Sequence, residues 1–152
     1  MKMLKWLDEN FEEKILVTLL SGSVLLIFFQ VVMRYIFKNS LAWSEELARY
    51  LFLYMIWIGA SYAVKRESHL RIEIIKDKIP ENHQKSFETF IMLIWLAFSV
   101  FLFIYSLKLT MMIHARGQLS PAMRIPMSYA YASVPIGTGL MCVRIIQKLV
   151  RR

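Results

Sequence analysis

A chain of 152 residues, 57% hydrophobic and with a formal net charge of +8, has room for one domain, and its charges fall in clusters between long apolar runs. That composition excludes a disordered chain, which is poor in aromatics and aliphatics, and a disulfide scaffold, since Cys142 has no second cysteine to pair with. It also argues against nucleic-acid binding, because the basic residues are not massed on one polar segment. What remains is a small integral membrane protein.

The first apolar run, Ile15 to Met33, carries no charge and is close to the roughly 20 residues that cross a bilayer core as a helix. It exceeds the apolar stretch of about 7–15 residues in a secretory signal. Asp8, Glu9, Glu12 and Glu13 precede it and no small-x-small cleavage site follows, so it is expected to stay as an anchor. A polar corner comes next, with Arg34 and Tyr35 before it and Trp43, Ser44, Glu45, Glu46, Arg49 and Tyr50 after it. The second run, Leu51 to Val64, is about 21 Å long as a helix, too short alone. Extending it back to Leu47 takes in Arg49 near one interface and gives a span over 47–64. A buried or re-entrant piece is the alternative.

The loop that follows holds His69 and then Leu70 to Pro80. Ile72, Ile75 and Ile79 share a helical face there, whereas Leu70, Ile72 and Ile74 alternate like a strand. The preferred reading is a short amphipathic helix in the interface, ended by Pro80; a solvated linker is the other. Thr89 to Leu107 is a third uncharged run. The stretch Gly117 to Pro126 is turn-rich and leads into the fourth run, uncharged from Ile125 to Val143. Pro135, Gly137 and Gly139 interrupt this last span. They are read as a packing kink against a broken helix at a substrate site.

Within lipid each backbone polar group must find a partner in its own segment, so these runs are helices. The expected fold is an all-α integral membrane protein, one domain over 1–152. Four transmembrane helices lie near 15–33, 47–64, 89–107 and 125–146, with a short interfacial amphipathic helix between helices 2 and 3. Short connections favour antiparallel neighbours in sequence order, without requiring a closed bundle. Of the 19 Lys and Arg, 13 fall in the N-terminal segment, the loop after span 2 and the C-terminal end, which predicts that both termini are cytoplasmic. Tyr35, Trp43, Tyr50, Tyr105, Tyr129 and Tyr131 then lie at outer ends, where headgroups favour Tyr and Trp. Trp57 and Trp95 fall mid-span, as packing or lipid-facing residues.

Several activities lack their chemistry. No Asp or Glu lies inside any of these spans, as a proton relay or cation site requires. His69, His83 and His114 are not mid-span, so facing haem ligands are missing, and Cys142 stands alone as a small hydrophobe. No nucleophile has a plausible base, so no enzyme is expected. Glu45 and Arg49 are i,i+4 with the acid first, the better order for a pair, and Glu45 and Glu46 suit a helix start. Either Arg34 and Arg49 snorkel to water and Glu45 neutralises one of them, or the group fixes the corner and presents a docking surface; the two are compatible. Thr18 with Gly22, Gly59 with Ala63, and Ser133 with Gly137 have the spacing of close helix contacts.

The order of these residues, Arg34-Tyr35, then Trp43-Ser44-Glu45-Glu46-Leu47-Ala48-Arg49-Tyr50, Gly59-Ala60, His69, Ile72-Glu73, Pro80, Ser120-Pro121-Ala122-Met123-Arg124-Ile125-Pro126, Pro135-Ile136-Gly137 and Arg144, resembles the small membrane subunit of tripartite ATP-independent periplasmic (TRAP) transporters. The resemblance covers nearly the whole chain and is strongest at Trp-x-Glu-Glu-x-x-Arg-Tyr. It implies a bacterial inner-membrane system of three proteins. A periplasmic substrate-binding protein captures an organic anion, such as a dicarboxylate or a sialic acid, and a large membrane subunit carries it inward, coupled to sodium. The small subunit packs on the large subunit's scaffold and widens it. It needs no cofactor, sodium being expected on the large subunit. Arg34, Trp43, Glu45, Glu46, Arg49 and Tyr50 are then subunit-interface or structural residues. Arg116 and Arg124 are candidate contacts for the binding protein, with a plain surface-charge reading equally open. A stand-alone small transporter or exporter and a membrane anchor of a redox complex are the competing classes.

Overall fold

The computed structural model describes residues 2–66 and 81–150. They form α1 (Lys2–Tyr35), α2 (Ala42–Lys65), α3 (Glu81–Ala115), a single-turn α4 (Ser128–Tyr131) and α5 (Ser133–Val150). Four stretches are long and apolar enough to cross a membrane: Phe11–Tyr35, Ala42–Lys65, Ser86–Ala115 and Ser128–Val150. The amphipathic helix expected near 70–79, and His69 before it, lie outside the described residues.

Each span outruns its uncharged stretch, for local reasons. At 34 residues, α1 is about 51 Å long, well beyond the roughly 30 Å hydrocarbon core. The second span is one continuous helix of 24 residues from Ala42, which overturns the re-entrant alternative and the start at Leu47. Leu41 is extended, and the Ser44 hydroxyl donates to its carbonyl at 2.7 Å. This brings Glu45 into the first turn, where the helix dipole favours an acid.

The fourth span starts at Ser128 rather than Ile125 because the preceding residues are bonded into a loop. The Ser120 N–H donates to the Ile125 carbonyl at 2.8 Å and the Met127 N–H to the Gln118 carbonyl at 2.9 Å. Arg124 takes a left-handed conformation at φ 57° to close the turn. The helix then breaks at Ala132. Pro135 falls in the first turn of α5, where a missing N–H costs no intrahelical bond. The interruption is therefore a junction between two helices, not a bend within one.

The helices form an open row in the spatial order α1, α2, α5, α3: α2 packs on both α1 and α5, and α3 packs on α5. The expectation of neighbours in sequence order fails between spans 2 and 3, because α5 wedges between them. Gly137 explains how closely it does so. A Cβ there would stand 2.4 Å from the Trp57 Cβ and 2.7 Å from its carbonyl carbon, so the two backbones all but touch, as small residues in membrane helices allow. Gly59 meets Leu16 of α1 at ordinary distance, whereas Gly22 faces open space. The spacing of Thr18 and Gly22 therefore marks no close approach at Gly22 among the described residues.

The apolar core lies at Val64, Met141 and Ile145, with Met92 and Leu96 of α3 packed against it. Outward, α1 exposes Leu25 and Phe28 and α3 exposes Phe98 and Phe101. Trp95 is also exposed and meets Phe98 edge to face.

Candidate functional site

Polar side chains gather at the two ends of the row. At the end bearing the 36–41 corner, Glu45 does not pair with Arg49. It reaches across to α1 instead: Arg34 donates to its Oε1 at 2.5 Å and Gln30 donates to the same oxygen at 2.8 Å. Arg34 also reaches Ser40 at 3.3 Å. Glu45 therefore clasps the corner, but from the other helix. The pairing depends on how α1 and α2 approach, which i,i+4 spacing does not encode. Trp43 is exposed beside this clasp. Among the described residues no carboxylate lies within ion-pair distance of Arg49.

Glu46 holds something else. Its Oε2 accepts the N–H groups of Ala122 at 2.8 Å and Met123 at 3.0 Å, while Tyr50 donates to its Oε1. Glu46 and Tyr50 are both buried. Tyr50, expected at the end of a span, faces the protein and completes a bolt between α2 and the 117–127 loop. Tyr54 donates to the Tyr129 carbonyl at 2.8 Å, and His114 meets Ser128 at 3.2 Å, so α2 and α3 both fasten the same connection. Arg116 and Arg124 are exposed on it. Between α2, the loop and the α4–α5 junction lies a cavity of about 400 Å³, lined by Glu45, Arg49, Leu53, Met127, Tyr131 and Val134 among others.

The opposite end holds a cluster that the sequence reading missed. Glu12 is fully buried. Arg144 of α5 donates to its Oε1 at 2.9 Å and Ser61 of α2 at 3.0 Å, and Lys65 stands 3.6 Å from Oε2. Arg144 is also buried and donates to Gln147 at 2.8 Å. One carboxylate thus ties α1, α2 and α5 together; Glu12 stands outside the uncharged run 15–33 but within the longer apolar stretch Phe11–Tyr35. The signal that could have found it is Arg144, a cation near the C-terminal end of the fourth span that called for a partner. Beside this cluster, Tyr62 and Arg66 both reach Glu13, at 2.9 and 3.1 Å. The hydrogen bonds that Arg66 donates to Tyr62 and Glu13 hold its guanidinium above its usual range.

These groups join helices; they do not converge on one reacting centre. Among the described residues no three of His, Cys, Asp and Glu gather where they could hold a metal ion. The acids that membrane transporters use in the midplane stand here near the ends of the apolar stretches, Glu12 beside Phe11 and Glu45 and Glu46 in the first turns of α2, bound by cations and N–H groups.

Comparison with known proteins places this architecture. The family model described as tripartite ATP-independent periplasmic transporters, DctQ component, matches residues 23–152. The chain is 32% identical over 153 residues to the isethionate TRAP transporter permease protein DctMQ of Oleidesulfovibrio alaskensis, covering 97% of this chain and 24% of that protein. It is 40% identical over 86 residues to the sialic acid TRAP transporter small permease protein SiaQ of Vibrio cholerae, 57% of this chain and 50% of that one. To the C4-dicarboxylate TRAP transporter small permease protein DctQ of the same organism it is 31% identical over 98 residues, 64% of this chain and 42% of that one. The chain thus spans a quarter to a half of the length of these relatives. With four membrane-crossing stretches and a family match over most of its length, the chain is a multi-pass membrane protein that belongs to the DctQ component family, the small permease subunits of TRAP transporters.

Proposed function

We propose that this subunit works without chemistry of its own, in a sodium-coupled, binding-protein-dependent transporter of an organic anion of the dicarboxylate or sialic acid type. Its family is one of transporter subunits and not of enzymes. Its work is to pack on the static scaffold of a large membrane subunit and widen it in the bilayer. The observation that carries this reading is the open row itself. Its polar groups are occupied in joining helices, while the outer helices α1 and α3 keep long apolar faces uncovered. Sodium and solute belong to the large partner.

The relatives support this division of labour. Their names give isethionate, sialic acid and C4-dicarboxylate as solutes, which suits a subunit that does not read the solute. The match to one quarter of a longer permease suits a small subunit joined to, or assembled with, a larger one. In this reading the chain lies in the bacterial inner membrane with both termini cytoplasmic. The corner and the 117–127 loop then face the periplasm, where Arg116 and Arg124 meet the binding protein. Glu45 and Arg34 steady the corner for that contact, Glu46 and Tyr50 steady the loop, and Trp43 and Arg49 lie between them.

An affinity-tagged chain purified from native membranes in mild detergent tests the reading. A larger polytopic membrane protein is expected to co-purify, and the chain alone in liposomes is expected to move no solute. Solute uptake by the chain alone, or a coloured preparation carrying a redox group, would replace the scaffold reading with one of the competing classes.

A further inference from the structure

Glu45 and Arg49 stand one turn apart on α2 in the order that favours an ion pair, yet the pair does not form. Glu45 is turned towards α1, and both of its hydrogen bonds fall on Oε1, leaving Oε2 outside them. Arg49 is exposed, with no carboxylate of the described residues in reach. Both line the cavity of about 400 Å³ at the corner end, within the range of about 300–1,000 Å³ that holds small ligands. Leu53, Met127, Ala130 and Val134 make its apolar wall. Leu53 lies about 12 Å further along α2 than Glu45, towards the middle of the bilayer. The cavity therefore has a rim with one acid and one base held apart, above a wall that descends into the hydrocarbon.

We propose that this cavity seats one zwitterionic phospholipid of the phosphatidylethanolamine class. Its phosphate rests on the Arg49 guanidinium, its ammonium on the Glu45 carboxylate, and the start of one acyl chain runs along Leu53 and Val134. Charge complementarity selects this occupant. The charged residues that line the cavity are Glu45, Glu46 and Arg49; Tyr50, Ala122 and Met123 already hold Glu46, which leaves one acid and one base for a head that bears both charges. An anionic head such as a glycerol head brings the same phosphate but no ammonium for Glu45, and so leaves the phosphate's repulsion by the acid uncompensated. A choline head has no N–H to donate to Glu45, and the charge-assisted bond to the acid is lost. The proposal holds whichever leaflet the corner faces and whatever protein the subunit assembles with.

Native mass spectrometry of the full chain tests it, with phosphatidylethanolamine, phosphatidylcholine and phosphatidylglycerol of identical acyl chains. The wild-type protein is expected to retain phosphatidylethanolamine at least tenfold better than the other two, a comparison that needs no variant to fold. Arg49→Ala and Glu45→Gln should each erase the preference, and Leu53→Trp, which fills the cavity below an intact rim, should lower retention tenfold. Lys108→Ala, on α3 and outside the cavity lining, should leave it unchanged. Circular dichroism confirms that each variant keeps its helices. Equal retention of the three lipids, a preference for phosphatidylglycerol, or wild-type retention by folded Arg49→Ala would overturn the proposal.

Discussion

Replacing Glu12 by Ala removes the carboxylate that faces Arg144 and Lys65, and takes an ion-pair partner from a buried guanidinium. Breaking a buried pair from one side costs about 3–5 kcal/mol, so the thermal midpoint in detergent should fall steeply. Exchanging both Glu12 and Arg144 for Met should cost less than the sum of the single changes, because no charge is then stranded. Lys65, partly exposed, can still turn to water. Glycines give a second series at this scale. Gly137→Ala drives a methyl into the Trp57 backbone, which cannot swing aside, and should cost about 1–3 kcal/mol. Gly139→Ala meets the edge of the Phe103 ring at 3.2 Å, which can rotate, and should cost less. Gly22→Ala meets open space and should be neutral or gain up to about 1 kcal/mol of helix propensity. Unfolding midpoints of the three variants in one detergent check the order. Glu12 was hidden in the sequence because it sits just outside an uncharged run and its partner Arg144 is 132 positions away. That Arg34, Glu45 and Glu46 gather at facing helix ends is legible in the sequence; which residue each one grips is not.

Among the elements, the 117–127 loop shows how a turn-rich stretch becomes rigid. Gly117 and Arg124 supply left-handed turns, an isolated bridge joins Leu119 to Pro126, and Glu46 accepts two of its N–H groups. Glu46→Ala leaves those donors without their acceptor, a loss of about 1–3 kcal/mol. Hydrogen exchange at the Ala122 and Met123 amides should accelerate roughly ten- to hundredfold, while α3 and α5 keep their protection. Glu46→Gln retains an acceptor oxygen and should fall between the two. Hydropathy found this loop and the four spans, because charge-free runs of bilayer length have few other uses. It misplaced the starts of the second and fourth spans. Those are set by Ser44 bonding back to Leu41 and by Ile125 being held in the loop, not by apolarity.

For the whole molecule, hydropathy counts spans without saying which ones touch. Spatial order comes from complementary details such as Gly137 against Trp57 and Arg144 against Glu12. It puts the last span of the chain between the second and the third. A ribosome delivers these segments in sequence order, so the first two can pair at once, while the third arrives with no packing face to join. Until the fourth inserts, Glu12 lacks its guanidinium partner, and the side of α2 opposite α1 has only lipid against it. The packing of these four spans therefore closes only when the fourth is in place. A chain stalled before that helix would carry a mark of its immaturity, an incompletely paired acid at the membrane, for quality control to read.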